Sequence, residues 1–263
     1  MQRALALLVV AAASCVPIGS DGGTAPQSAT SVPAYHATHA IRSLALLDPL
    51  SGPPEAEDAI TQERYVPVGF QIRMKAAGRN TRHTVRFSTE QNEVVYSGVR
   101  VEADITFATA TPSKVSPLPY VAVSCNSYKA TATVGPRYMF GLDARGNSFI
   151  VRVTGTTSNE FAEVARSARP SDGIRETASN HVQADCFLEV PLDSQDNSVQ
   201  IAAKNAVALV LTINGTPVLR AVDPDPGNAI PFAAAGFEIN SGGQTDPAAV
   251  FSKFLVTQIV LGP

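Results

Sequence analysis

The chain has no tryptophan among its 263 residues, and only 6% of them are aromatic. Sugar sites commonly stack indole rings on pyranose faces, so this scarcity argues against a high-affinity lectin built on such platforms. Charge is equally sparse: 20 Lys and Arg stand against 23 Asp and Glu, a formal net charge of -3 with no basic cluster. Nucleic acid is therefore excluded as a partner, because phosphate recognition needs concentrated cations. Past the first residues there is no long apolar run, so nothing further along reads as a membrane-spanning helix. Cysteine is limited to Cys15, Cys125 and Cys186.

The beginning of the chain holds the most telling of these three. Arg3 precedes an apolar stretch over residues 4–13, and Ala12-Ala13-Ser14-Cys15 closes it with small residues and a thiol. That order resembles a bacterial lipoprotein signal with its lipobox. The resemblance implies removal of residues 1–14, acylation of Cys15 with chains such as palmitate, and a protein held on the outward side of the cell membrane. An ordinary cleaved signal peptide, cut near Ala13, is the competing reading. Residues 15–43 are rich in Ser, Thr, Ala, Gly and Pro, which predicts a flexible tether. His36 and His39 within it lack a third ligand, so a solvated linker is the expectation there.

Residues 44–263 are expected to form one β-sandwich domain. Val99, Val101, Ala103, Ile105 and Phe107 alternate with Arg100, Glu102, Asp104 and Thr106, which is the pattern of a half-buried antiparallel strand. Phe70, Ile72 and Met74 repeat it, as do Val85 with Phe87 and, later, Val207, Leu209, Leu211 and Ile213. Asp143-Ala144-Arg145-Gly146-Asn147 and Asn214-Gly215 supply hairpin turns. No helical stripe is convincing, although residues 159–169 leave room for a turn or two.

Taken in order, the landmarks are the strand ending at Phe107, then Val121-Ala122-Val123-Ser124-Cys125, Tyr138-Met139-Phe140-Gly141-Leu142-Asp143, and Phe149-Ile150-Val151-Arg152-Val153. They continue with Asn197-Ser198-Val199-Gln200-Ile201, Leu209-Val210-Leu211-Thr212-Ile213-Asn214-Gly215, Gly236-Phe237 and Phe251-Ser252-Lys253-Phe254-Leu255-Val256. This succession resembles the laminin-G-like, concanavalin-A-like jelly-roll domains of bacterial envelope proteins, including those related to 3-keto-disaccharide hydrolases. Ser252 and Lys253 depart from the Asp-Asn of the closing motif.

In an exported chain whose Cys15 is acylated, Cys125 and Cys186 are left as a pair that usually oxidises; two separate buried thiols are the alternative. Cys186 follows an apparently irregular stretch, so the expected bond staples a long loop to the sheet.

Chemistry is harder to find. A glycosidase needs two carboxylates across a groove, and Glu102 with Asp104 is the nearest candidate pair; their neighbours Arg100 and Thr106 equally suit a solvated sheet face. Asp223, Asp225 and Asn228 gather oxygens on a proline-stiffened loop suited to calcium, against the plainer reading of a Pro-rich turn. No other cofactor is implied. There is no Gly-x-Ser-x-Gly elbow, His83 lies in a strand beside Arg82, and His181 near Asp185 reads as a loop pair. The leading expectation is a non-catalytic module for glycan, cell-wall polymer or an envelope protein. A hydrolase acting on a modified sugar or glycoside is the alternative, and an accessory subunit without a small ligand the third.

Overall fold

Alternation of apolar and polar residues carries nearly all of the described chain into strands. The computed structural model describes residues 32–47, 49–50, 52–75, 82–88, 96–108, 118–127, 135–155, 160–170, 178–189, 206–230, 232–242 and 246–262. Cys15, the leader and the expected strand at residues 197–201 lie outside them. The first strands are β1 (Tyr35–Leu44), β2 (Ala56–Glu57), β3 (Thr61–Val66), β4 (Gly69–Met74) and β5 (Arg82–Ser88). The middle of the chain gives β6 (Gly98–Ala108), β7 (Tyr120–Ser127), β8 (Arg137–Asp143), β9 (Ser148–Thr154) and β10 (Glu160–Arg166). Then follow β11 (Asn180–Leu188), β12 (Val207–Ile213), β13 (Thr216–Asp223), β14 (Phe232–Asn240) and β15 (Ala248–Leu261).

These strands make two antiparallel sheets. One has nine strands in the order β13-β12-β11-β6-β15-β4-β3-β2, with β1 also on β15; the other has six, in the order β10-β9-β8-β7-β14-β5. The sequence-derived β-sandwich is thus the fold. Val99, Val101, Ala103 and Ile105 of β6 all point into the core, and Phe107 packs partly buried at its margin. Opposite them, Val121, Val123 and Cys125 of β7 with Tyr138, Phe140 and Leu142 of β8 supply the facing layer. Phe237 stacks on Phe251 with ring centroids 4.0 Å apart and touches Phe70, Phe87 and Phe254, so aromatic rings fill one part of the core.

Both expected hairpins form. Asn214 and Gly215 take φ of 50° and 81° between β12 and β13, the left-handed pair that a two-residue turn demands. Between β8 and β9, Asp143 Oδ1 accepts from the amides of Arg145 and Asn147, which closes the turn.

Three expectations need correction. Residues 35–44 belong to β1, paired antiparallel with β15, so the stretch placed in the tether is sheet from Tyr35 onward. Register shifts at residues 37–42 break its period of two, and Ile41 and Leu44, three apart, are both buried. Exposed His36 and His39 ride on this strand. Residues 160–166 are the edge strand β10, not a helical turn; a bulge between Glu163 and Ala165 brings Glu163 and Arg166 together at a spacing that otherwise suggests a helix. Finally, Cys186 lies inside β11, opposite Val99 of β6, and bonds Cys125 of β7. The disulfide therefore ties the two sheets through the core and does not staple a loop.

Candidate functional site

Each sheet turns one face to the core and one outward, so the molecule has two outer faces. On the nine-stranded sheet, Arg100, Glu102, Asp104 and Thr106 project outward from β6, as the alternation requires. His181 stands opposite Asp104 in register. Its Nδ1 is 2.5 Å from Asp104 Oδ1 and its Nε2 3.3 Å from Glu102 Oε1, so one imidazole bridges both candidate acids. Sequence reading had assigned His181 to a loop near Asp185; the pairing of β11 with β6 gives it different partners. Two carboxylates that both grip one ring do not flank a substrate bond, as a glycosidase pair must.

Asp185, fully buried, sits farther along the same face. It accepts both Arg100 Nε (2.7 Å) and Nη2 (3.0 Å), the Tyr35 hydroxyl (2.7 Å) and Gln183 Nε2 (3.0 Å). Burial, and then the neighbouring Asp185 carboxylate, push the Tyr35 phenol well above its ordinary range. Tyr35 also packs on Phe187, ring centroids 4.4 Å apart, which pins the start of β1 across this face. The charges named here are compensated by their own neighbours.

Of the calcium candidates, Asp223 is occupied from within. Asp223 is buried; it accepts Arg152 Nη1 at both oxygens (2.9 and 2.8 Å), the Tyr138 hydroxyl (2.8 Å) and the Asp225 amide (3.2 Å). The Asp225 carbonyl also accepts from Arg152. A guanidinium thus stands where a metal would need to, as the plainer turn reading allows. Asn228 is in the 3-10 turn Gly227–Ala229, its side chain outside the described residues. Among the described residues no cluster of three or more metal-ligating side chains occurs.

The outer face of the six-stranded sheet is built differently. Its outward positions include Ala122, Met139, Phe149 and Val153, which form a buried apolar cluster of their own, with Tyr120 and Val151 beside it. Over this floor opens a pocket of about 450 Å³, lined by Tyr120, Met139, Phe149, Val151, Phe161 and, at a polar rim, Asp143, Glu163 and Arg166. That volume is in the range of small-ligand sites. Tyr120 meets Phe149 edge to face at 5.2 Å, and Phe161 is 48% exposed. The Arg82 guanidinium lies 4.3 Å from the Phe161 ring centroid. Because these residues belong to β5 and β10, opposite edges of the sheet, their contact means that this outer face is cupped.

Beside the floor, Glu238 of β14 is buried. It accepts the Tyr120 hydroxyl (2.6 Å), the Thr84 hydroxyl (2.8 Å) and Arg137 Nη2 (2.9 Å). Burial, followed by the Glu238 carboxylate, raises the Tyr120 phenol well above its usual value. The pocket was not found from sequence, though its signal was present: Ala122, Met139 and Phe149 fall at the outward positions of otherwise regular strands.

No family model matches the chain, and no curated protein matches it either. Solved structures do. A Bacillus subtilis protein of unknown function with a galectin-like fold superposes with a TM-score of 0.51 at 14% identity, over 87% of this chain and 100% of that one. The alginate lyase Aly36B gives 0.44 at 10% identity, over 89% of this chain and 100% of that one. The Emp46p carbohydrate recognition domain gives 0.42 at 11%, over 81% and 95%. At such identities the first of these shows a fold, and the chain is a galectin-like β-sandwich.

Proposed function

We propose that this chain is an exported envelope protein, anchored through an acylated Cys15, whose sandwich binds glycan without turning it over. Its ligand site is the cupped outer face of the six-stranded sheet. One observation carries this reading: an outward sheet face that is apolar and aromatic at its floor, polar at its rim, and hollowed by a pocket of about 450 Å³. Phe161 offers an exposed ring to the C–H side of a sugar above a floor that includes Tyr120 and Phe149, while the rim pair Glu163 and Arg166 offers partners to its hydroxyls. The Cys125–Cys186 bond supports an oxidising destination.

Titration of the full chain against a panel of oligosaccharides tests the site. Phe161→Ala, at an exposed position, should weaken binding at least tenfold with little change in melting temperature. Equal binding by wild type and variant removes the pocket from consideration. For the anchor, Cys15→Ser should release the protein from the membrane fraction or block maturation; full retention without lipid on the mature N-terminus would overturn it.

A second reading, hydrolysis of a modified sugar or glycoside, draws on the imidazole of His181 held between Glu102 and Asp104. It requires product formation that Glu102→Gln abolishes.

A further inference from the structure

The β5 margin of the cupped face carries two arginines that the described residues leave without a counter-charge. Arg82 and Arg86 both project outward, four residues apart, with Thr84 between them. Thr84 is committed to Glu238, and Arg82 rests on the Phe161 ring. Arg86 is partly buried, and its Nε is covered without a hydrogen-bond partner. Burial lowers the Arg86 guanidinium from its ordinary value, which is the mark of a desolvated cation.

The strand register continues this row inward. Arg86 pairs with Gly236, Gly236 with Ser124, Ser124 with Met139, and Met139 with Val151, so the row runs from the cation to the pocket floor. Gly236 admits no side chain, because a Cβ there would lie 2.4 Å from the Val85 carbonyl oxygen. Ser124 Oγ, and in the adjoining row both amide atoms of Asn126, are buried with no hydrogen-bond partner. Buried polar atoms are ordinarily paired, so Arg86 Nε, the Ser124 hydroxyl and Asn126 Nδ2 lack an acceptor, and Asn126 Oδ1 lacks a donor.

We infer that this row receives an acidic group of the ligand, a carboxylate or sulfate ester, so that the pocket selects acidic over neutral glycans. The inference rests on the pocket being a glycan site. A guanidinium offers paired N–H donors to a planar carboxylate or a sulfate, and Ser124 and Asn126 add neutral donors beside it. The net charge of -3 repels polyanions in general, so retention of one points to a local wall and not to the field of the whole protein.

Native affinity electrophoresis of the full chain in gels containing polygalacturonate, dextran sulfate or dextran makes the comparison. Polygalacturonate should bind at least tenfold more tightly than dextran, Arg86→Gln should lose that margin, and Arg86→Lys should recover part of it. Neither Arg86 variant should lower the melting temperature, since no described partner is left behind. Preference for dextran sulfate with the same loss in Arg86→Gln supports the inference with sulfate as the source. If dextran binds as well as the polyanions, or Arg86→Gln changes nothing, the acidic selection is overturned. Should dextran binding fall in Phe161→Ala while Arg86→Gln stays silent, the glycan pocket stands and this inference alone fails. Absence of binding to every polymer defeats both.

Discussion

The two outer faces of this sandwich follow the same alternation rule and arrive at opposite surfaces. On the nine-stranded sheet, the outward charges of β6 and β11 settle one another, Arg100 with Asp185 and His181 with Glu102 and Asp104, beside a small apolar cluster of Phe187, Ala208 and Ile259. On the six-stranded sheet the pocket floor is apolar; Glu238 is paired with Arg137 and Glu163 with Arg166, while Arg82 and Arg86 have no carboxylate among the described residues. A face whose polar groups are already paired has little to offer a ligand. One with an apolar floor and unspent donors does, which is why the pocket and not the conspicuous Glu102-Asp104 pair is the better functional candidate.

The sharpest way to break this comparison is to cut one charge from each face. Arg137 and Glu238 are 3% and 1% exposed at their side chains, so Glu238→Ala strands a buried cation and should cost about 3–5 kcal/mol. Asp104→Asn, on a partly solvated network, should cost at most about 1 kcal/mol. Urea denaturation of both variants measures the gap; similar losses would mean that the two faces are not energetically distinct.

The disulfide tests whether the faces belong to one cooperative unit. Cys125 and Cys186 are 61 residues apart and hold β7 of one sheet to β11 of the other. Replacing both by serine should cost about 2–4 kcal/mol. The loss should appear as a single transition at lower temperature. Separate melting of a loop ahead of the core, monitored by hydrogen exchange, would revive the staple that the sequence suggested.

How far the sequence could be read differs between the faces for a physical reason. Period two exposed β6 and β12, and turn chemistry exposed the hairpins at Gly146 and Asn214, because those signals are local. β1 was hidden, since bulges between residues 37 and 42 destroy the period. β14 left only its Gly236-Phe237 landmark: its inward Phe237 and Ile239 and its outward Gly236 and Glu238 are all buried, so alternation has nothing to report. The site depends on pairings between distant strands. His181 and Asp104 are 77 residues apart, and Arg82 and Phe161 slightly farther, so neither contact is written in any short window.

A smaller effect separates the faces at alkaline pH. Folding raises the phenols of Tyr120 and Tyr138, which belong to the six-stranded sheet, and of Tyr35 on the other sheet. A phenol whose pKa is raised keeps its proton in the native state after the unfolded chain has released it. Stability should therefore be complete below about pH 10 and decline as pH rises beyond it. Absorbance of these three tyrosinates should appear only with unfolding. Tyr120→Phe should flatten the alkaline decline more than Tyr35→Phe, because Tyr120 is the more deeply buried. The reverse order would place the costlier desolvation on the nine-stranded face.

The smallest expected change decides between binding and catalysis. Glu102 lies 3.3 Å from His181 in a partly solvated network, so Glu102→Gln swaps one acceptor for a neutral one of the same shape. Stability should move by less than about 1 kcal/mol. If the six-stranded face is the ligand site, glycan affinity should not change, because Glu102 projects from the opposite side of the sandwich. Sugar incubated with wild-type protein should also be recovered intact, as followed by chromatography of reducing ends. Product that accumulates with wild type and vanishes in Glu102→Gln would transfer the function to the nine-stranded face, with His181 between two carboxylates as its acid–base centre. Loss of affinity without any product would instead show that ligand reaches both faces, and the distinction drawn between them would no longer hold.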